Sequence, residues 1–143
     1  MADRREAVLA RLLEIAQSIP GVRLALRNTT SVSDSARPAI IILDGDESRR
    51  TGASGRGPVI MEMTPEIYVL RGGKPEDVGA GLNALRAAFL KAALFDEALA
   101  GIIGANGEIV FEGTQTDLAS GRTIAGNMGL SIRIAYPFIP SEL

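Results

Sequence analysis

The hydrophobic positions along the chain change period several times, and this separates helices from strands. Apolar residues recur at helical spacing from Asp3 to Ile19 and again from Pro75 to about Leu94. The first pattern ends at Pro20 and Gly21. The second begins at Pro75, followed by two acids that favour the N-terminal turn of a helix. The spacing therefore predicts two amphipathic helices.

A third, shorter helix is predicted directly after the second one. Asp96 precedes the segment "EALAGII" and is a residue type preferred at a helix N-cap, while Gly104 follows the segment as a helix terminator. Gly79 and Gly81 lie inside the second helix, where each costs roughly 1 kcal/mol relative to alanine. We expect that helix to form in spite of these two glycines.

The remaining apolar patterns are typical of strands. Residues 22–28 alternate between apolar and polar side chains, and residues 39–43 form a β-branched run that is typical of a strand buried on both faces. Residues 59–71 alternate across Pro65, which predicts a bulge or an edge position there because proline donates no ladder hydrogen bond. Two further strands are predicted at residues 109–117 and 127–138.

The order of these elements predicts the fold class. One helix is followed by three strands, a helix with a short helical extension, and two more strands. We expect an α+β fold, with a mainly antiparallel or mixed sheet of about five strands and two main helices packed on one face. A chain of 143 residues suits a single domain, which we assign to residues 1–143.

The stretch "DGDESRRTGASGRGP", residues 44–58, interrupts the apolar pattern and predicts a flexible loop. Loops of this length inside a small domain are uncommon and are generally functional or disordered. The alternating charges suit polar docking to a partner, so we interpret the stretch as a partner-binding loop. Its assigned contact residues are Asp46, Glu47, Arg49, Arg50 and Arg56.

Polar side chains also line one face of two predicted strands. In residues 59–71 the acids fall opposite the apolar positions, and in residues 127–138 the polar positions alternate with a continuous apolar series. A polar strand face on an open sheet is a surface that a neighbouring subunit can contact. We assign the candidate subunit interface to Glu62, Glu66 and Arg133.

Charge and composition exclude several classes of protein. The formal net charge of -2 provides no field that would attract nucleic acid or an anionic membrane. The chain has no histidine and no cysteine, which excludes a Ser-His-Asp triad, a cysteine nucleophile and disulfides. No apolar run approaches the ~20 residues that span a bilayer, and the charged N-terminus does not have a signal-peptide pattern. We expect a soluble, cytoplasmically made protein without membrane or specific nucleic-acid partners.

The strongest enzyme hypothesis is a metal-dependent nuclease. Asp44 follows one predicted strand and Glu62 lies on the next, so that the two carboxylates could hold Mg²⁺ for phosphodiester hydrolysis. Nucleases of the restriction-endonuclease type carry an acid-x-Lys pattern, whereas Thr64 stands two residues after Glu62. The glycines at 52, 55 and 57 lack the Lys-Ser/Thr ending of a phosphate-binding loop. The nuclease remains an alternative.

Several segments together resemble one family across nearly the whole chain and in the same order. The chain is similar to the small tail terminator and minor tail proteins of long-tailed bacteriophages. This resemblance rests on general sequence pattern and element order, since the segments contain no catalytic signature. The segments are "REAVLARLLEIAQSIPGVRLALRN", "RPAIIILDGDES", "MTPEIYVL", "GLNALRAAFLKAALFDEAL", "NGEIVFEGTQTDLASGR" and "GLSIRIAYPF".

The resemblance implies a structural role in virion assembly. It implies an α+β subunit that forms a six-membered homo-oligomeric ring on the finished tail tube, ends tube polymerisation and joins the tail to the head-side connector. The partners would be the tail tube protein and the head-tail connector protein, with DNA passing through the ring without specific binding. The protein would assemble in the bacterial host cytoplasm and reside in the virion tail, with no enzymatic activity and no cofactor. A head-tail connector or neck protein is the nearest alternative.

Overall fold

A computed structural model describes residues 3–29, 31–52, 55, 57–119 and 124–143, and the structure below is that of these residues. It contains three α-helices and five strands. The helices are α1 (Arg4–Ser18), α2 (Pro75–Leu94) and α3 (Glu97–Ile103). The strands are β1 (Leu24–Arg27), β2 (Ala39–Gly52), β3 (Val59–Gly73), β4 (Glu108–Ala119) and β5 (Ile124–Phe138).

The five strands form one mixed sheet in the order β1-β2-β3-β5-β4. Three of the four neighbouring pairs are antiparallel, and β1 pairs in parallel with β2 from Leu24 opposite Ala39 to Arg27 opposite Ile42. The parallel pair forms because residues 28–38 carry the chain back along the sheet before β2 begins. The α+β fold with a mixed five-stranded sheet is confirmed.

Helices α1 and α2 cover one face of this sheet. Helix α2 packs on β3 and β5, and α1 lies beside it over β1 and β2. The buried helix residues follow the predicted stripes, and each fully buried leucine contributes roughly 1.5–3 kcal/mol. The largest fully buried side chains of this core are Leu9, Leu12, Leu82, Phe89 and Leu99 from the helices, with Ile40, Ile42, Met63, Ile67, Leu130, Ile132 and Tyr136 from the sheet.

Helix α3 begins and ends at the predicted residues. The Asp96 carboxylate accepts a hydrogen bond from the backbone N–H of Leu99, 2.8 Å away, and Gly104 closes the helix with φ +76°. Two further bonds of 2.7 and 2.8 Å join the same carboxylate to the Arg11 guanidinium of α1. Asp96 thus caps α3 and attaches it to α1.

No single helix in the described part of the chain is long and apolar enough to cross a membrane. Only α2 and α3 taken together, which meet at an angle of 53°, satisfy the length and composition that a span requires. One side of α2 belongs to the core, since Val78, Leu82 and Phe89 are almost completely buried.

The prediction of a loop over residues 44–58 is wrong for residues 44–52, which continue strand β2. They pair with β3 from Asp46 opposite Thr64 to Gly52 opposite Val59. Cross-strand pairing and contacts from distant parts of the chain stabilise this polar segment, and neither is visible in the local sequence. The connection between β2 and β3 is therefore limited to residues 53–58, in which Arg56 lies outside the described residues.

A bulge interrupts the pairing of β2 with β3 opposite Pro65. Asp44 and Gly45 together oppose this single proline, which offers no N–H to the ladder, so the interruption loses no donor. Gly45 has φ +69°, and a side chain there would collide with the Thr64 carbonyl. The predicted bulge at Pro65 is confirmed, although β3 is the central strand of the sheet.

The second face of the sheet carries no α-helix in the described structure. Val32 packs against a small apolar cluster there, built on Ala39, Ile41 and Leu70. The rest of this face, which we call the open face, is polar and faces solvent together with the outer edges of β2 and β4. These surfaces are the candidate interaction sites.

Candidate interaction surface

One end of the open face carries a group of ion pairs that we call the charged cluster. The register of four strands brings its side chains together, because Ser48 lies opposite Glu62, and Glu62 and Glu108 both lie opposite Ala135. Three carboxylates and two guanidinium groups meet there. The cluster consists of Arg50, Glu62, Glu108, Glu112 and Arg133.

Arg133 and Arg50 hold the charged cluster together. A terminal nitrogen of Arg133 lies 3.2 Å from the Glu108 carboxylate and 3.6 Å from that of Glu62, and its Nε lies 3.6 Å from Glu112. Arg50 donates to Glu108 at 2.5 Å and lies 3.6 Å from Glu62. The hydrogen bond from Arg50, reinforced by Arg133, holds the pKa of Glu108 below its usual range. The cluster links β2 to β4 across the two strands between them.

The three residues assigned to the subunit interface therefore do not all lie in one group. Glu62 and Arg133 lie within 3.6 Å of each other in the charged cluster. Glu66 lies on the other side of the Pro65 bulge, where its carboxylate accepts a hydrogen bond of 3.2 Å from the Tyr68 hydroxyl. Burial of Tyr68, together with the negative charge of Glu66, raises the pKa of that hydroxyl.

A polar groove crosses the open face next to Glu66, with Gly129 at its floor. Gly129 lies opposite Tyr68, and the Tyr68 ring lies so close that a Cβ on Gly129 would be 3.2 Å from a ring carbon. Gly129 is one of the residues that line a cavity of about 340 Å³. Its polar walls come from Glu66, Tyr68, Gln115, Asp117, Asn127 and Ser131. Carboxylate, amide and hydroxyl groups of this kind suit polar docking.

The residues assigned to the partner-binding loop do not all face outward. Glu47 lies on the helix-covered face, where it accepts a hydrogen bond from the buried Tyr136 hydroxyl and lies 3.6 Å from Arg5 Nε of α1. Burial raises the pKa of Glu47. Arg50 belongs to the charged cluster. Asp46 and Arg49 are exposed on β2.

The two carboxylates of the nuclease hypothesis are not brought together. Asp44 sits in the bulge opposite Pro65 and Glu62 lies three residues further along β3, which places them ~10 Å apart along the strands. The Arg27 guanidinium binds Asp44 at 2.7 and 2.9 Å and holds its pKa below the usual range. Within the described ranges, no group of three histidine, cysteine or acidic residues is placed to hold a metal ion.

The sheet has two uncovered edges, which the sequence interpretation did not locate. Strand β4 ends the sheet on one side, and no described strand pairs with its outer edge. On the other side β1 ends opposite Ile42, so β2 continues to Gly52 without a neighbour on its outer side. The exposed polar residues "TQTD" at 114–117 are the sequence signal that could have indicated an edge strand.

Comparison with known proteins assigns the chain to no family. No family model matches the chain, and no curated protein is significantly similar to it. The functional proposal below therefore rests on the geometry of the sheet and on the resemblance described above.

Proposed function

We propose that this chain is a structural subunit of a phage tail, which forms a ring on the end of the tail tube, stops tube polymerisation and joins the tail to the head-side connector. The observation that carries the proposal is an open sheet whose two uncovered edges lie on opposite sides of the same subunit. The resemblance to tail terminator proteins supports the identity of the tube. The protein would act without an active site or a cofactor, in the virion tail.

Two different uncovered edges are what a head-to-tail ring requires. In such a ring each subunit uses one surface to contact the preceding copy and a different surface to contact the next, and repeated rotation closes the assembly. The outer edge of β4 and the outer edge of β2 beyond Ile42 are two such surfaces. The resemblance implies six copies, which corresponds to a rotation of about 60° per subunit.

The open face provides the polar surfaces for contacts above and below the ring. The polar groove over Gly129 and the exposed Asp46 offer polar groups that are already on the surface, so little apolar area has to be exposed in the free subunit. Polar docking of this kind favours specificity and correct register over raw affinity. It suits a subunit that binds a finished tube once.

Electron microscopy of tails assembled without the chain tests this function. Deleting its gene from the genome that encodes it should yield tails longer than normal that do not join heads, and supplying the gene in trans should restore normal length. Tails of normal length joined to heads would overturn the proposal. Tails of normal length that fail to join heads would instead indicate the connector or neck role.

A further inference from the structure

We infer that in the ring the β2–β3 hairpin of one copy adds to the β4 edge of the next copy, so that the sheets of neighbouring subunits become continuous. The hairpin segment, which we call the arm, consists of residues 46–52 and 59–64. This inference rests on the proposed function, since it names the contact that builds the ring. The partner is a second copy of this chain.

The β4 edge has the properties of an acceptor for an added strand. It is 12 residues long, and its residues 114–118 are exposed. Monomeric proteins usually protect such an edge with lysine, proline or a covering element. Strand β4 contains no lysine, arginine or proline, and only the bulge between Phe111 and Gly113 interrupts its pairing with β5. An edge of this length without lysine or proline is suited to strand addition.

The arm offers a complementary free edge. Where β1 ends, local groups satisfy the next two backbone positions of β2: the Asn28 side chain accepts from the Asp44 N–H, and Arg5 donates to the Gly45 carbonyl at 2.9 Å. From Asp46 to Gly52, no partner lies on the outer side of β2 among the described residues. The free backbone groups therefore begin where the arm begins.

The directions of the two strands allow them to pair. Strand β2 is antiparallel to β3, β3 is antiparallel to β5, and β5 is antiparallel to β4. Strand β4 therefore runs antiparallel to β2. Rotation about an axis near the strand direction preserves this relation between neighbouring copies, so the added pair is antiparallel. Along the strand direction, the midpoint of the free β2 edge and the midpoint of the free β4 edge are about five to six residues, or roughly 18 Å, apart. The strands must therefore tilt against the ring axis for the two edges of neighbouring copies to meet.

The charges are compatible with this contact. Strand β4 carries three acids and no basic residue, whereas the arm carries two arginines beside three acids, Asp46, Glu47 and Glu62. Within one subunit Glu47 lies beside Arg5, and Glu62 lies beside Arg50 in the charged cluster. Arg49 is exposed, and in the paired arrangement it comes within cross-strand reach of a β4 carboxylate of the next copy.

Cysteine cross-linking tests this contact cleanly because the chain contains no cysteine. One variant carries Ser48→Cys in the arm, a second carries Gln115→Cys on β4, and a third carries both, since both positions face the open side of the sheet. A bismaleimide cross-linker of ~10 Å should produce a ladder of multimers from the double variant and a single dimer band from the mixed single variants. Each single variant alone should stay uncross-linked, because the contact joins two different surfaces.

Two controls keep the result interpretable. Lys91→Cys on α2, combined with Gln115→Cys, should give no ladder, since the α2 surface is not part of the contact. Arg49→Cys with Thr116→Cys, both on the helix-covered side of the sheet, repeats the test at neighbouring positions, in case the first pair disturbs the strands. Both experiments are run on the purified protein and on tails assembled with the variants.

The outcomes separate this inference from the proposed function. If deletion alters tail length but neither double variant cross-links in assembled tails, the arm does not pair with β4 and the capping function stands. Cross-links from β4 to the tail tube protein would likewise overturn the inference and identify the tube as the partner of this edge. An arm-to-β4 ladder with no effect of deletion on tails would support the inference and refute the tail function.

Discussion

The hydroxyl of Tyr136, whose side chain is fully buried on β5, donates a hydrogen bond to the carboxylate of Glu47 on β2. The same carboxylate lies 3.6 Å from Arg5 of α1, and its side chain is 26% exposed. Glu47 therefore attaches the arm to strand β5 and to helix α1. A free loop at this position would leave the buried hydroxyl without its acceptor.

Replacing Glu47 with glutamine should stabilise the protein at neutral pH. Glutamine keeps an acceptor for Tyr136 and removes a charge whose burial raises the pKa of Glu47. Because the folded-state pKa lies above the unfolded value, stability falls as the pH rises through the folded pKa, and below the unfolded value of about 4.3 the carboxyl is neutral in both states. The advantage of Glu47→Gln should be within about 1 kcal/mol at pH 7 and vanish near pH 3. Urea unfolding of both proteins at pH 3 and pH 7 measures this difference. If the free energy of unfolding of Glu47→Gln minus that of wild type is lower at pH 7 than at pH 3, the assignment is refuted.

Replacing Gly45 with alanine should destabilise the fold at the β2 bulge. Its φ of +69° strains any L side chain, and the added Cβ would collide with the Thr64 carbonyl. We expect a loss of about 2 kcal/mol or more in the free energy of unfolding. Gly79→Ala is the matched control: the site lies in α2 with open space around it, and alanine there should stabilise the protein by about 1 kcal/mol. Equal effects of the two substitutions would contradict the structure.

Replacing Asp96 with alanine should cost about 1–2 kcal/mol, because α3 loses its N-cap. Asp96→Asn keeps the cap and loses only the charge that pairs with Arg11, so it should cost less. Arg11 holds the pKa of Asp96 below its usual range. The stabilisation by this carboxylate is thus complete above the unfolded pKa of about 3.9 and is lost as the pH falls through the lower folded pKa. Thermal unfolding of the three proteins between pH 2 and pH 7 measures both effects. Equal stability of the alanine and asparagine variants would show that the cap is not used.

Magnesium should neither stabilise the protein nor confer nuclease activity. Asp44 is bound by Arg27, and Glu62 lies in the charged cluster about 10 Å further along the strands, so the two carboxylates do not converge. We expect the melting temperature to be the same with Mg²⁺ and with a chelator. Nicking of plasmid DNA that depends on Mg²⁺ or Mn²⁺ and is lost in Glu62→Gln would establish the nuclease alternative.

The helices and most strands were predictable because their signals are local. The Asp96 cap, the start at Pro75 and the alternation of residues 127–138 each lie within a few residues of the element they define. The burial stripe of α1 follows directly from its 3.6-residue period. The strands were predicted slightly too short at β4 and β5, because pairing between them extends the ladder to Ala119 opposite Ala125, beyond the alternating pattern.

The arm was not predictable, because distant residues determine its structure. Residues 46–52 have no alternating apolar pattern, and their strand conformation depends on pairing with β3. Glu47 is fixed by Tyr136 and Arg50 by Glu108, both far away in sequence, and Arg50 also lies beside Glu62 across the hairpin. A charged segment with such partners is indistinguishable from a solvated loop when only its own residues are read.

The central claim, that the chain forms a head-to-tail ring on the tail tube, is tested most directly by native mass spectrometry of the protein alone and after incubation with purified tail tubes. The account expects one discrete six-copy species, either free at high concentration or released from the tube ends, with no larger oligomers. A protein that stays monomeric under both conditions, or that forms an open series of ever larger oligomers, would contradict it.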